Sequence, residues 1–222
     1  MMKNRLMKWI GALLVLCLML AMVGCTDKKD NDGDSSKTTI VGKWESEWDL
    51  SKAMEQMLAD EEMEMKLENL KLTVFIEFKD DKTYEMTVDE DSAEDMMKAF
   101  LDQYKVVVKK VMEDSAKEYN MTLNDMLALT GYNSFDAYWD AIKKDMDMDD
   151  LVDEMAVEAK GQYKYEDGKL YMSDDEDDEI DKDEYTVVEL EGKTMKWTKV
   201  VGADEEEESM VKELLPLTFK KK

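Results

Sequence analysis

The chain has 222 residues, with 30 lysines and arginines against 55 aspartates and glutamates, which gives a formal net charge of −25 at pH 7. It contains no histidine, and Arg5 is its only arginine. This composition excludes a histidine base, imidazole metal ligands and, beyond residue 5, bidentate arginine contacts to phosphate. A chain this acidic cannot neutralise a phosphate backbone, so we expect no nucleic-acid partner.

The first 25 residues have the features of a bacterial secretion signal. A positive segment opens the chain, with Lys3, Arg5 and Lys8. The apolar stretch that follows, residues 9–23, is shorter than the ~20 residues that a membrane-spanning helix needs. It ends in Ala21-Met22-Val23-Gly24-Cys25, which resembles the bacterial lipobox, a motif whose cysteine is diacylated and becomes the new N-terminus.

We therefore expect residues 1–24 to be a signal peptide. Cys25 would carry a diacylglyceryl anchor, whose two acyl chains hold the protein stably on the outer, extracytoplasmic face of the cell membrane. The other interpretation is a free Cys25 thiol beside an uncleaved anchor. Residues 26–38 contain no apolar side chain. They predict a flexible tether, which with Cys25 makes an anchor segment of residues 25–38 that is roughly 20 Å long.

A folded domain is predicted over residues 39–222, and it begins with strand patterns. Trp44, Ser46, Trp48 and Leu50 alternate onto one face of a first strand. Ser51 then begins an amphipathic helix that we expect to continue to about Glu68. Two further alternating segments, residues 70–78 and 84–88, predict a hairpin that turns at Asp80-Asp81-Lys82.

Residues 92–158 change to helical spacing and predict a helical insert. Ser92 with Asp95 has the pattern of a capping box, and an apolar stripe continues from Met97 to Val111 and Met112. Thr122 and Ser134 are predicted to begin a second and a third helix, and residues 149–158 a fourth.

Strand patterns return after Gly161 and continue to the end. Asp167-Gly168 and Gly192 mark two more hairpin turns, and Pro216 marks the last strand as an edge or a strand start. The total is eight short strands, most of them joined as sequential hairpins. The predicted fold is mainly β with a helical insert (α+β), either an eight-stranded up-and-down antiparallel barrel or a curled sheet.

Four segments together resemble lipocalin-like (calycin-type) domain lipoproteins of Gram-positive bacteria. They are Gly42-Lys43-Trp44, the Phe78…Tyr84 hairpin, Gly161…Asp167-Gly168-Lys169-Leu170-Tyr171 and Leu217-Thr218-Phe219-Lys220. The resemblance covers about residues 39–90 and 159–222. It implies that Trp44 plugs one end of the barrel beneath a basic residue of the last strand, here Lys220 or Lys221.

Six aromatic residues on the predicted strands are candidates for lining the barrel: Trp44, Trp48, Tyr84, Tyr163, Tyr165 and Trp197. An eight-stranded barrel is just wide enough to be filled by side chains or to hold one small ligand. Both a filled and a hollow interior therefore stay open at this point.

The remaining unusual features have ordinary explanations. Neither acidic run, residues 174–184 or 204–208, has the glycine and glutamate spacing of an EF-hand, so we interpret both as solvated loops and predict no metal site. Most methionines occupy apolar positions, where they serve as core filler. We find no residues for a catalytic site or a cofactor and expect a protein that is not an enzyme.

Two functions follow as expectations. The first is a non-enzymatic binding module that takes a small apolar ligand in the barrel or a partner at its mouth. The second is a structural or chaperone-like lipoprotein that grips protein partners through its methionine-rich helical insert.

Overall fold

The computed structural model describes residues 39–60, 65–146, 152, 153, 155, 159–173, 180–202 and 212–222. In these residues eight antiparallel strands form a closed barrel in which each strand pairs with its neighbours in sequence and the last strand pairs with the first. The strands are β1 (Gly42–Asp49), β2 (Lys71–Phe78), β3 (Thr83–Val88), β4 (Ala159–Glu166), β5 (Lys169–Met172), β6 (Tyr185–Glu191), β7 (Thr194–Val201) and β8 (Leu217–Lys221). The predicted up-and-down architecture is confirmed, and closure excludes the curled sheet.

Helices accompany the strands, and the bounds of four of them lie in the described part of the chain. Helix α1 (Ser51–Asp60) connects β1 to β2. Helices α2 (Glu90–Glu118), α3 (Leu123–Leu129) and α4 (Phe135–Met146) lie between β3 and β4, where the helical insert was predicted.

Alternation places one face of each strand inside the barrel. On β2, Leu72, Val74, Ile76 and Phe78 are buried, while the residues between them face outward. Phe75, the one apolar residue on the outer face, lies half-buried, with the Lys43 ammonium 4.8 Å from its ring centroid. The outward aromatic ring is thus covered by a neighbouring lysine.

Three tight turns gather at one end of the barrel, which we call the hairpin end. They contain Lys82, Asp167-Gly168 and Gly192, all with positive φ. The adjacent pair Asp167 (φ 52°) and Gly168 (φ 75°) has the signs of a type I′ turn, whose twist matches that of the flanking strands. The three turns predicted from the sequence are confirmed.

The opposite end, which we call the helical end, carries α1 and the start of α2. Helix α1 buries Ala53, Met54 and Leu58 against the barrel core. The prediction that this helix continues to Glu68 is wrong, because residues 65–70 are not helical. The Leu67 N–H donates to the Glu55 carboxylate (2.6 Å), and the Leu50 N–H donates to the Leu70 carbonyl (2.8 Å).

Helix α2 begins one turn earlier than Ser92 suggested. Asp89 is the N-cap, and its carboxylate accepts a hydrogen bond from the Ser92 N–H at 2.9 Å. The Ser92 hydroxyl instead accepts from the Thr73 N–H (2.9 Å), which ties α2 to β2. The predicted caps of the next two helices are confirmed, with a capping box at Thr122 and a bond from the Ala137 N–H to Ser134.

The insert has a small core of its own. Tyr104 stacks on Phe100 (5.6 Å between ring centroids) and lies 5.9 Å from Trp139 of α4. Lys105 pairs with Asp136 at 2.8 Å across the same interface. Val111, predicted to belong to the apolar stripe, is exposed instead, so the stripe narrows in the second half of α2.

Other sequence predictions fall outside the described residues. They concern the signal peptide, Cys25, the tether and most of the fourth helix and of the two acidic runs. Among the residues that are described, no helix is both long and apolar enough to cross a membrane.

Candidate functional site

All six aromatic candidates lie on barrel strands. Trp44, Trp48, Tyr84, Tyr163 and Trp197 are buried in the interior. Tyr165 occupies an inward position near the end of β4 and is only half-buried there. The structure therefore brings the six predicted residues to one interior.

The interior near the hairpin end is close-packed. Trp44, Ile76, Met195 and Phe219 have 0% of their surface accessible. An enclosed cavity large enough for a water molecule would leave accessible surface on the side chains that line it. This half of the barrel is therefore filled, and a ring-to-ring contact of 4.7 Å between Trp197 and Phe219 continues the packing.

Trp44 closes the hairpin end with Lys221. The Lys221 ammonium lies 5.1 Å from a Trp44 ring centroid, and it donates to the carbonyls of Val41 (2.6 Å) and Thr39 (3.3 Å). The Trp44 indole N–H donates to the Ile40 carbonyl at 2.6 Å. Of the two lysines that the sequence offered, Lys221 is the one above the indole, and Lys220 faces outward.

Gly42 permits this arrangement. Its φ is +123°, a backbone conformation that glycine adopts readily, and a Cβ atom at this position would meet Lys221 Cε at 2.8 Å. Gly42, Trp44 and Lys221 therefore form one interlocked unit, which we call the closure site.

The hydroxyl groups of the two candidate tyrosines that are buried in the barrel both have hydrogen-bond partners within the protein. Tyr84 donates to the Ser173 carbonyl and Tyr163 to the Lys79 carbonyl, each at 2.8 Å. Burial, with smaller contributions from the nearby Asp80 and Asp81 carboxylates, raises the pKa of Tyr163. The phenol stays neutral at physiological pH and acts as a structural donor.

Trp48 and Trp197 differ from these residues. Their indole N–H groups are buried, yet neither has a hydrogen-bond partner in the described structure. A buried unpartnered donor costs about 1–3 kcal/mol, and native proteins rarely keep one. The presence of two unpartnered indole donors in one barrel interior therefore distinguishes the region between them from the rest of the core.

The strand register places these two indoles close together. Trp197 pairs with Leu217 of β8. The register in which Trp44 faces Lys221 continues along β1 and sets Trp48 opposite Leu217, as the bond from Ser46 Oγ to the Thr218 carbonyl (3.0 Å) supports. Trp48, Leu217 and Trp197 thus form one row across three adjacent strands, which we call the indole row.

The interior toward the helical end is also closely packed. Trp48 and Leu72 retain 4% of their surface and Leu217 retains 7%, while Leu70 has 0% and Val74 and Trp197 have 1%. Helix α1 covers this end, and a surface cleft of about 720 Å³ runs between α1, Met65-Lys66 and Glu213. The indole row lies inside the barrel, and this cleft lies on its outside.

Methionines contribute mainly to the core. Nine of those in the described residues are buried: Met54, Met65, Met86, Met96, Met97, Met146, Met155, Met172 and Met195. This agrees with their interpretation as flexible core filler.

Comparison of the chain with protein-family models, curated proteins and solved structures gave no match. The fold and the closure site therefore carry the functional argument.

The closure site makes a testable contribution to stability. We expect Lys221→Met, which keeps an unbranched side chain one atom shorter, to lower the free energy of unfolding by about 1–3 kcal/mol, because it removes hydrogen bonds from a charged donor and a cation–π contact. Thermal unfolding of residues 26–222 measures the effect. The outward-facing Lys220→Met is the control and should change stability by less than about 0.5 kcal/mol. Equal effects of the two substitutions would contradict this role of Lys221.

Proposed function

We propose that the protein is an extracytoplasmic lipoprotein, anchored through Cys25, whose barrel is a non-enzymatic binding module of the lipocalin-like type. The lipobox pattern supports the anchor. The eight-stranded up-and-down barrel, with Trp44 beneath Lys221, supports the kinship with lipocalin-like lipoproteins.

The single observation that carries ligand binding is the pair of unpartnered indole donors in the interior. The packed half of the barrel satisfies its polar groups, as Trp44, Tyr84 and Tyr163 show. Only the indole row leaves donors unused among the buried side chains described. A small, mainly apolar molecule with an acceptor atom would satisfy these donors once the interior opens beside them, because both nitrogens are inaccessible in the described structure.

The residues that precede β1 show which end of the barrel the tether joins. Residues 39–41 lie at the hairpin end, where the Thr39 and Val41 carbonyls accept from Lys221. The tether therefore joins the hairpin end, and the helical end lies at the far side of the barrel from the point of attachment.

A second candidate function is binding of protein partners by the helical insert. The large apolar side chains that are exposed in the described residues all belong to the insert: Val106, Val111, Tyr119 and Leu129. In contrast, Met96, Met97, Met146 and Met155 of the insert are buried. A partner surface on the insert would therefore use valine, tyrosine and leucine more than methionine.

The anchor has a direct test. Cys25→Ser should abolish acylation and release the protein from the cell, because the diacylated cysteine is its only stable attachment to the membrane. Mass spectrometry of the mature protein and fractionation of cells measure the two effects. Wild-type protein that retains residues 1–24 and carries no acyl chain would contradict the lipobox assignment.

Ligand binding is tested on residues 26–222, purified from an extracytoplasmic expression host and incubated with a lipid extract. We expect native mass spectrometry to show an adduct of a few hundred daltons that is lost on denaturation, and tryptophan fluorescence to change on uptake. A bare polypeptide mass under every condition would contradict the binding module and favour the insert.

The insert candidate predicts that residues 26–222 slow the aggregation of reduced insulin, as measured by light scattering. Tyr119→Ser with Leu129→Ser should remove most of that effect, since both side chains are exposed and their loss leaves the insert core intact. Glu113→Ser with Asp114→Ser is the matched control on α2. Equal protection by both double variants would contradict an apolar partner surface.

A further inference from the structure

We propose that the hairpin end is the face of the protein that contacts a membrane surface of anionic lipid headgroups. The contacting residues are four exposed lysines, which we call the lysine cluster: Lys193, Lys196, Lys220 and Lys222. This inference rests on the proposed function, since an anchor at Cys25 brings this end of the barrel to the membrane.

Charge is distributed unevenly along the barrel. The parts of the strands and turns toward the hairpin end contain ten lysines and nine acidic residues, counted over residues 39–45, 75–85, 163–170, 188–196 and 219–222. The whole chain has 30 basic and 55 acidic residues. The hairpin half is therefore close to neutral, and the excess of acidic residues belongs to the rest of the chain.

The acidic residues accompany the helical end. The run of nine carboxylates in residues 174–184 connects Met172 to Tyr185, and the run of five in residues 204–208 lies between Val201 and Leu217. All four of these flanking residues are strand ends at the helical end. Helix α2 begins at the same end with four exposed acidic residues in its first two turns: Glu90, Asp91, Glu94 and Asp95. An anionic surface therefore repels the helical end.

The strand register brings the lysine cluster together at the hairpin end. Lys220 of β8 lies opposite the residue that follows Lys193, and the Lys221 N–H donates to the Lys193 carbonyl at 2.9 Å. Lys196 follows on the outer face of β7, and Lys222 directly follows β8. The four side chains thus share one side of the barrel.

The protein neutralises one of these four charges. Lys222 forms an ion pair with Glu45. Among the described residues, no carboxylate lies within ion-pair distance of the other three lysines, although Glu189 is opposite Lys196 in the strand register. Three ammonium groups are therefore available to an external anion such as a lipid phosphate.

The tether and the charges select the same end. Thr39 and Val41, the first residues after the tether, are held at the hairpin end by Lys221. The length of the tilted strands separates the two ends of the barrel by roughly 20 Å. This is more than the Debye length of about 8 Å at physiological ionic strength, so the distant acidic residues do not cancel the attraction at the lysine cluster.

The test uses residues 25–222 coupled through Cys25, the only cysteine of this segment, to a maleimide lipid in vesicles. The vesicles contain phosphatidylcholine alone or with one third phosphatidylglycerol, and mass spectrometry measures how fast acetic anhydride acetylates each lysine. On the anionic vesicles we expect the lysine cluster to react about threefold more slowly, because an anionic surface keeps nearby amines in their charged, unreactive form. Three exposed lysines of the insert should react at unchanged rates: Lys98, Lys110 and Lys144.

Matched variants test the lysines themselves. The cluster variant replaces the three unpaired lysines: Lys193→Gln, Lys196→Gln and Lys220→Gln. The control variant removes the same charge from the insert: Lys98→Gln, Lys110→Gln and Lys144→Gln. All six side chains are exposed, so both variants should fold, which thermal unfolding verifies. The cluster variant should lose the slower acetylation of Lys222 on anionic vesicles, and the control variant should keep it.

Each outcome has one meaning. Equal acetylation rates of the lysine cluster on the two kinds of vesicle, or a larger effect on the insert lysines, would overturn the proposal. Equal slowing by soluble polyphosphate on neutral vesicles would assign the lysine cluster to soluble anions and overturn the lipid surface. The coupling supplies the attachment chemically, so these outcomes do not depend on acylation of Cys25, which the Cys25→Ser experiment tests separately.

Discussion

The pairing of the first strand with the last one is the constraint on which the rest of the structure depends. An open eight-stranded sheet would expose the backbone groups of β1 and β8 as two edges, and closure removes both. Side chains reinforce the seam as well as the backbone ladder. Ser46 donates to the Thr218 carbonyl, and Lys222 forms an ion pair with Glu45. At its end, Lys221 fastens the residues that precede β1 and covers the indole of Trp44.

Closure also creates the difference between the two halves of the barrel. At the hairpin end the chain has short turns and a tryptophan plug, so the interior can be filled to zero accessibility. At the helical end β1 connects to β2 through α1 and a non-helical segment, residues 65–70, that hydrogen-bonds back to Glu55 and Leu50. Trp48 and Leu217 retain 4% and 7% of their surface there. The unpartnered donors lie on this side because there the protein supplies cover but no acceptor.

Periodicity predicted the strands well because the alternation of inside and outside is a local property of the chain. The same is true of the hairpin turns, where Asp167-Gly168 encodes its own conformation. Errors arose where a distant residue decides the local structure. Helix α1 ends before Met65 because the segment after it hydrogen-bonds back to Glu55 and Leu50. Helix α2 has Asp89 as its N-cap because the Ser92 hydroxyl accepts a hydrogen bond from the Thr73 N–H.

The candidate site was predictable only in part, for the same reason. The six aromatic residues could be assigned to the interior from their parity on the strands. Which indoles have partners could not, since Trp44 and Trp48 follow the same pattern and differ only in what surrounds them. Trp44 reaches the Ile40 carbonyl, four residues earlier, whereas Trp48 faces Leu217 across the seam. The choice between Lys220 and Lys221 likewise needed the register of β8 against β1.

The insert and the barrel share one hydrophobic core, and α2 is the element that joins them. Tyr104, Trp139 and their neighbours form a core within the insert, while the first turns of α2 contact the barrel. There, Ser92 binds the backbone of Thr73, and Gln103 exchanges hydrogen bonds with the backbone of Glu68. The first contact adjoins Leu72, which flanks Trp48. A partner that moved α2 would therefore act on the barrel at the start of β2, next to the indole row.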